Sequence, residues 1–142
     1  MILGGVMKKA AKVLTLLGII FSGIKMVFEV AAIVLGPIIL ANKEKAFEIL
    51  TNANVDGIAT IEDVQKLAIT MIIGASIALI VEIVVLCFAI KASRAFANSE
   101  KKLWPHIVMI VMGALCNGIF YLLGGIFALV ETEKLNTSQQ QV

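Results

Sequence analysis

The chain has 142 residues, of which 60% are hydrophobic and 15% are charged, and its formal net charge is +2. Soluble domains are about 45–50% apolar and about 25% charged. The composition therefore excludes a disordered tail, a nucleic-acid-binding module and a disulfide-stapled secreted domain. Three predicted membrane spans use most of the length, which also excludes two separate domains. The sequence predicts a single all-α domain embedded in a membrane.

Three segments have the roughly 20 mostly apolar residues that a helix needs to cross a bilayer. These predicted spans are 13–40, 67–90 and 104–130. The first span contains Lys25 and Glu29, and two central charges cost roughly 5–7 kcal/mol on insertion. The apolar residues around them contribute a similar or larger favourable amount. This balance favours one long helix over the alternative, a re-entrant pair of half-helices.

The N-terminal segment 7–24 has the basic start and apolar run of a secretory signal peptide. The apolar pattern continues past Lys25, and no Ala-x-Ala cleavage site follows the first apolar run. We therefore expect this segment to be retained as the first span. Met7 is an alternative to Met1 as the natural start.

The distribution of Lys and Arg predicts the orientation of the spans. These residues are concentrated near the N-terminus and in loop 91–103, whereas loop 41–66 has more acidic than basic residues. The positive-inside rule then places the N-terminus and loop 91–103 in the cytoplasm. Loop 41–66 and the C-terminal tail 131–142, which is polar and predicted to be disordered, would lie outside. Trp104 is predicted to be an interfacial anchor at the cytoplasmic end of the third span.

The outer loop 41–66 contains helical patterns on both sides of a turn. Segment 41–50 keeps helical spacing, and 51–57 is rich in turn-forming residues. Thr60 and Asp63 match a helix N-cap with an acidic residue three positions later. We therefore expect an extracytoplasmic helical hairpin between spans one and two.

The same loop also resembles the calcium-binding loop of an EF-hand when Gly57 is aligned on position six. The candidate ligands are then Asn52, Asn54, Asp56 and Asp63. Position one is Asn rather than Asp, position eight is Ala59 rather than a large aliphatic residue, and position twelve lacks the bidentate Glu. We favour a capped turn between two helices over a weak calcium site.

Four polar residues lie near the centres of the predicted spans: Lys25, Glu29, Glu82 and Asn117. Small residues accompany each of them on one helix face, as in tightly packed membrane helices, so the polar groups are expected to converge. Lys25 and Glu29 are four residues apart and can pair directly, but Glu82 is an alternative partner for Lys25.

Two interpretations of this polar group remain open. It is either a structural cluster that sets helix register and partner choice, or part of an ion or proton path. Two carboxylates face one lysine, so one carboxylate must be protonated, hold a cation or pair with another chain.

Other chemically active residues are sparse. One His and two Cys residues do not provide a metal or haem site. No Ser/His/Asp grouping, phosphate-binding loop or pair of catalytic carboxylates is present in the pattern. We therefore predict a protein without enzymatic activity, cofactor or metal. Its expected partners are the lipid bilayer and itself or a larger membrane protein, and not nucleic acid.

The segment 104–131 has the sequence WPHIVMIVMGALCNGIFYLLGGIFALVE, with glycines at 113 and 118 and Gly-Gly-Ile at 124–126. It resembles the closing helix of small multi-pass membrane proteins of unknown function from Gram-positive bacteria. Segment 7–20, MKKAAKVLTLLGII, looks like their first helix. The resemblance implies a bacterial plasma membrane and supplies no activity. Those proteins are usually read as having four spans, whereas the hydropathy pattern here gives three.

These patterns lead to three functional hypotheses. The first is a non-enzymatic accessory, assembly or regulatory subunit of a homo- or hetero-oligomeric membrane complex. The second is a small oligomeric transporter or channel coupled to protons or cations through Glu82 or Glu29. The third is a holin or bacteriocin-immunity protein, although the tail 131–142 lacks the basic character usual for a holin.

Overall fold

The structure is a computed structural model that describes residues 2–98, 100–115 and 118–140. The regular elements of this described part are all α-helices, as the sequence predicts. They are α1 (Ile2–Ala41), α2 (Lys43–Asn52), α3 (Ile61–Ala97), α4 (Trp104–Leu115) and α5 (Ile119–Gln140). The chain divides into two compact units, one formed by Met1–Gly23 with Ile83–Val142 and the other by Ile24–Glu82.

Two of the helices are long and apolar enough to cross a membrane. They cover Gly5–Ala41 and Ile61–Ala97, with 37 residues each, and such a helix is about 55 Å long. Only 6% and 11% of their most apolar windows are buried, whereas the core helix of a soluble protein is mostly covered. The apolar side chains of α1 and α3 are therefore mainly on the outside of the described chain.

The predicted third span, 104–130, is divided between α4 and α5. Helix α4 has 12 residues and is therefore about 18 Å long, short of the roughly 30 Å hydrocarbon core of a bilayer. The amide of Gly118 donates to the carbonyl oxygen of Gly113 at 2.8 Å, the six-to-one bond that closes many helix C-termini. The predicted third long helix is therefore not confirmed, because one helix ends at Leu115 and another begins at Ile119.

Helices α4 and α5 form an antiparallel hairpin whose backbones approach closely at two glycines. A Cβ atom on Gly113 would lie 2.6 Å from the amide nitrogen of Leu122. A Cβ atom on Gly125 would lie 2.8 Å from the side chain of Ile110 and 3.1 Å from the carbonyl oxygen of His106. Glycine at 113 is therefore required by a backbone contact, and glycine at 125 allows a close approach that a larger residue would push apart.

In the first unit, α5 also runs antiparallel to the first part of α1. The hydroxyl groups of Ser22 and Tyr121 share a hydrogen bond of 2.6 Å, and Lys134 Nζ lies 3.8 Å from Met7 Sδ. Helix α5 thus returns to the end of the unit where α1 begins. The prediction that the two termini lie on opposite sides of a membrane stays a prediction, and the reversal of direction from α4 to α5 supplies an alternative to it.

The C-terminal segment predicted to be disordered is helical as far as Gln140. Thr132 is buried, and its hydroxyl donates to the carbonyl oxygen of Ala128 at 2.8 Å. Asn136 Nδ2 donates to the carbonyl oxygen of Lys101 at 3.4 Å. These packing contacts continue α5 beyond its apolar part, which composition alone does not reveal.

In the second unit, the later part of α1 packs against the first part of α3. A Cβ atom on Gly36 would collide with the side chain of Ile72 and lie 3.2 Å from the carbonyl oxygen of Ala68. Helix α2 has no buried residue. The segment between α2 and α3 contains Asn54 at φ 52° and Gly57 at φ 86°, the left-handed conformations typical of turns.

Candidate functional site

An ion pair joins α1 and α3 in the second unit. Lys25 Nζ lies 2.9 Å from Glu82 Oε2 and donates a hydrogen bond to it. The Glu82 side chain is 6% exposed, whereas that of Lys25 is 53% exposed. The sequence left the partner of Lys25 open between two carboxylates, and the structure pairs it with Glu82. Apolar burial of the carboxylate makes this pair stronger than one on a wet surface.

Glu29 lies one helical turn beyond Lys25 on the same helix. It is close enough to Glu82 and Lys25 for the charges of both to act on it. Its Oε2 atom is buried and has no hydrogen-bond partner within the described part of the chain. The three residues Lys25, Glu29 and Glu82 are called the polar cluster below.

The polar cluster combines two carboxylates with one ammonium group. A buried, ionised carboxylate oxygen without a donor is costly, so such groups bind a proton, a cation or a donor group. The exposed part of Lys25 can lay its methylene stem along the apolar helix surface while its head group stays near Glu82. Within the described residues, Glu29 Oε2 is therefore the atom of the cluster that still needs a donor or a proton.

The fourth predicted polar residue, Asn117, lies outside the described residues. Four residues further along the chain, Tyr121 makes the buried hydrogen bond with Ser22 already described. Neither hydroxyl group was assigned a role from the sequence. A tyrosine within an apolar helix is itself an indication of such a bond, since a buried phenol hydroxyl usually finds a partner.

His106 is buried, with 1% exposure. Its ring meets the ring of Phe96 edge to face, with centroids 5.7 Å apart and an interplanar angle of 88°. Neither ring nitrogen has a hydrogen-bond partner in the described ranges. Across those same ranges, no group of three or more His, Cys, Asp and Glu side chains could hold a metal ion.

Asp63, a candidate calcium ligand, belongs to a helix cap before the apolar stretch that begins at 67. Asp63 Oδ2 accepts hydrogen bonds from Thr60 Oγ1 at 2.9 Å, from the Thr60 amide at 2.8 Å and from the Ala59 amide at 3.0 Å. These bonds, led by that from the Thr60 hydroxyl, hold the pKa of Asp63 below its ordinary value. The Asp63 amide in turn donates to Thr60 Oγ1 at 3.3 Å, so Thr60 and Asp63 form the reciprocal cap expected at the start of α3. Asn54 lies in the preceding turn.

Trp104, the predicted interfacial anchor, begins α4 and is 43% exposed. Lys91 Nζ lies 5.0 Å from the centroid of its ring, within the range of a cation–π interaction. The indole therefore has one face against a cation and part of its surface open, which suits an interfacial position.

No protein-family model, curated protein or solved structure matches the chain.

Proposed function

We propose that this chain is a small multi-pass membrane protein that acts as a non-enzymatic accessory, assembly or regulatory subunit. It would dock on a second copy of itself or on a larger membrane protein through the polar cluster. The observation that carries the proposal is the unpartnered Oε2 of Glu29 beside the Lys25–Glu82 pair. Glu29 as a whole is only partly buried, so a neighbouring chain that packs against it would complete the cluster by giving its carboxyl group a donor once that group rotates.

The surroundings of Glu29 support a membrane environment. Its neighbours on α1, Val27 and Phe28, are 69% and 71% exposed. Such side chains need lipid or a partner helix to cover them. A polar group surrounded by apolar surface is a common basis for selective association of membrane helices, with each interhelical hydrogen bond contributing about 0.6–2 kcal/mol.

The proposed topology has two spans, α1 and α3, followed by a re-entrant hairpin formed by α4 and α5. At about 18 Å, α4 would reach only about halfway through the hydrocarbon core. Non-helical backbone at that depth is tolerated where protein covers it, and Tyr121 near the hairpin tip is buried. Since α5 returns towards Met7, both termini would face the cytoplasm of a bacterial plasma membrane, with α2 outside.

The second candidate function is a small oligomeric transporter or channel coupled to protons or cations. The proximity of Glu29 and Glu82 favours it, because two carboxylates near one lysine can share a labile proton. This candidate requires water to reach the cluster in an oligomer. In the docking proposal, the cluster stays dry.

Native mass spectrometry after mild detergent release from the source membrane tests the docking proposal. We expect either a homo-oligomer of fixed stoichiometry or co-release with a larger membrane protein. Glu29→Gln should reduce that complex, whereas Glu48→Gln on the exposed side of α2 is the matched control and should not. A strictly monomeric wild-type chain, or equal complex formation by both variants, would overturn the docking proposal.

Proteoliposome flux under a pH gradient separates the two candidates. The docking proposal expects no flux above that of empty liposomes. The transporter candidate expects flux that depends on pH and is abolished by Glu82→Gln. Flux that survives this substitution would exclude the polar cluster as its path.

A further inference from the structure

The first unit contains a cavity of about 530 Å³ where α3 ends and α4 begins. Its walls come from the last turns of α3, the connecting segment and the first residues of α4. Three basic residues line it: Lys91, Arg94 and Lys102. The cavity lies outside the polar cluster, and the proposed docking function does not use it.

The charge of this cavity favours an anionic ligand. Glu100 is its only acidic lining residue in the described part of the chain, and it lies 3.5 Å from Lys102 Nζ. Lys91 is held over the Trp104 ring. No described residue forms a hydrogen bond or ion pair with the Arg94 guanidinium group, whose planar donors suit the oxygens of a phosphate.

Apart from Asn98, the rest of the wall is apolar. Cys87 and Ile90 line it on α3, and Pro105 lines it on α4 next to the half-exposed indole of Trp104. A ligand that fills this cavity would therefore meet both cations and apolar side chains. A phospholipid has this combination of charge and apolar surface, whereas a free phosphate ion matches only the basic residues.

We propose that this cavity binds the phosphate headgroup of an anionic phospholipid through Arg94, Lys91 and Lys102, with the start of an acyl chain against Cys87 and Ile90. Basic pockets between membrane helices on the cytoplasmic side are suited to such headgroups. The site rests on the proposed membrane placement of the chain and is independent of docking through the polar cluster.

Trp104 makes this site measurable, because it is the only tryptophan in the chain. The full chain is reconstituted into phosphatidylcholine vesicles that contain a small fraction of either brominated phosphatidylglycerol or brominated phosphatidylcholine. We expect stronger quenching of Trp104 fluorescence by the brominated phosphatidylglycerol at equal mole fraction. Equal quenching by the two lipids would overturn the site alone, and no quenching by either would overturn the membrane placement as well.

Charge variants identify the cavity as the source of this selectivity. One cation near an anionic headgroup changes a binding constant by about fivefold, so Arg94→Gln should reduce the preference for phosphatidylglycerol by about that factor. Arg94→Lys keeps the charge and should retain most of it, and Glu100→Gln should increase it. Lys43→Gln on α2 removes an equal charge elsewhere and should have no effect. Loss of selectivity in Lys43→Gln, or its retention in Arg94→Gln, would contradict the proposal.

Glycerol 3-phosphate and inorganic phosphate distinguish a lipid from a soluble ligand. The proposal expects that neither compound at millimolar concentration displaces the brominated lipid. Displacement by either one would assign the cavity to a soluble phosphate compound and overturn the lipid assignment.

Discussion

The ammonium group of Lys25 and the carboxylate of Glu82 meet at 2.9 Å although 57 positions separate them in the chain. Large apolar side chains on both helices are exposed around the pair. The pair therefore fixes the register of α1 against α3 in the second unit, since sliding one helix by a turn would separate the charges. Glu29 Oε2 lies buried next to it, without a hydrogen-bond donor among the described residues.

Removal of one partner of this pair should destabilise the fold. Glu82→Gln leaves the Lys25 charge without its carboxylate, and we expect a loss of about 1–3 kcal/mol, between the values typical of exposed and buried pairs. Equilibrium unfolding in detergent micelles measures it. The exchanged double variant Lys25→Glu with Glu82→Lys should recover part of the loss, and a single variant as stable as the wild type would contradict the register role.

The close approach of α4 and α5 predicts that Gly113→Ala is destabilising. The added methyl group would face the backbone nitrogen of Leu122 at 2.6 Å, and overpacking of this kind costs about 1–3 kcal/mol. Gly74→Ala is the matched control, because a Cβ atom there meets nothing within 4 Å, and the better helix propensity of Ala contributes up to about 1 kcal/mol. Thermal unfolding followed by circular dichroism should give a lower unfolding temperature for Gly113→Ala than for Gly74→Ala. The reverse order would contradict the hairpin.

If α4 and α5 form the proposed re-entrant hairpin, the C-terminus faces the cytoplasm. In a background without the two native cysteines, Ser138→Cys should react with a membrane-impermeant maleimide only after the cells are opened. Asn54→Cys, in the turn between α2 and α3, should react in intact cells and is the positive control. Labelling of position 138 in intact cells would instead support a third complete span.

The hydrogen bonds of the α3 cap predict that the stability of the first turn of α3 depends on pH. Because hydrogen bonds from Thr60 and Ala59 lower the pKa of Asp63, the cap contributes stability above the ordinary Asp pKa of about 3.9. That stability is lost as the pH falls through the lowered value in the folded state. The amide resonance of Thr60, followed by NMR in micelles, should shift with a midpoint below the ordinary value. In Asp63→Asn this titration should disappear, and a midpoint at or above the ordinary value would contradict the cap.

Local features of the sequence were sufficient for much of the fold. The hydropathy of segments 13–40 and 67–90 predicted α1 and α3, and Thr60 with Asp63 predicted the start of α3. The third segment, 104–130, contains α4 and the start of α5 in place of the predicted long helix. Average hydropathy gives no weight to turn-forming dipeptides such as the Asn-Gly pair at 117–118.

The candidate site was only partly predictable. Lys25, Glu29 and Glu82 were identifiable because charges within apolar segments are rare and costly. The basic cavity was not, since its residues are spread over the end of one helix, a connecting segment and the start of another. Each of its lysines and its arginine alone looks like an ordinary interfacial residue.

The sequence by itself determined that the chain is helical, which two segments form long apolar helices, and which charges lie within them. These properties follow from the apolar surface and hydrogen bonding of each segment taken alone. Only the tertiary structure decided that Lys25 pairs with Glu82 and that α5 folds back along α4 towards the start of α1. Both depend on which helix surfaces pack against each other. Glycines such as Gly36 and Gly113 determine that packing, because they let two helices approach closely. The helices that meet there are far apart in the chain or lie on opposite sides of a turn, so no local sequence pattern specifies the contact.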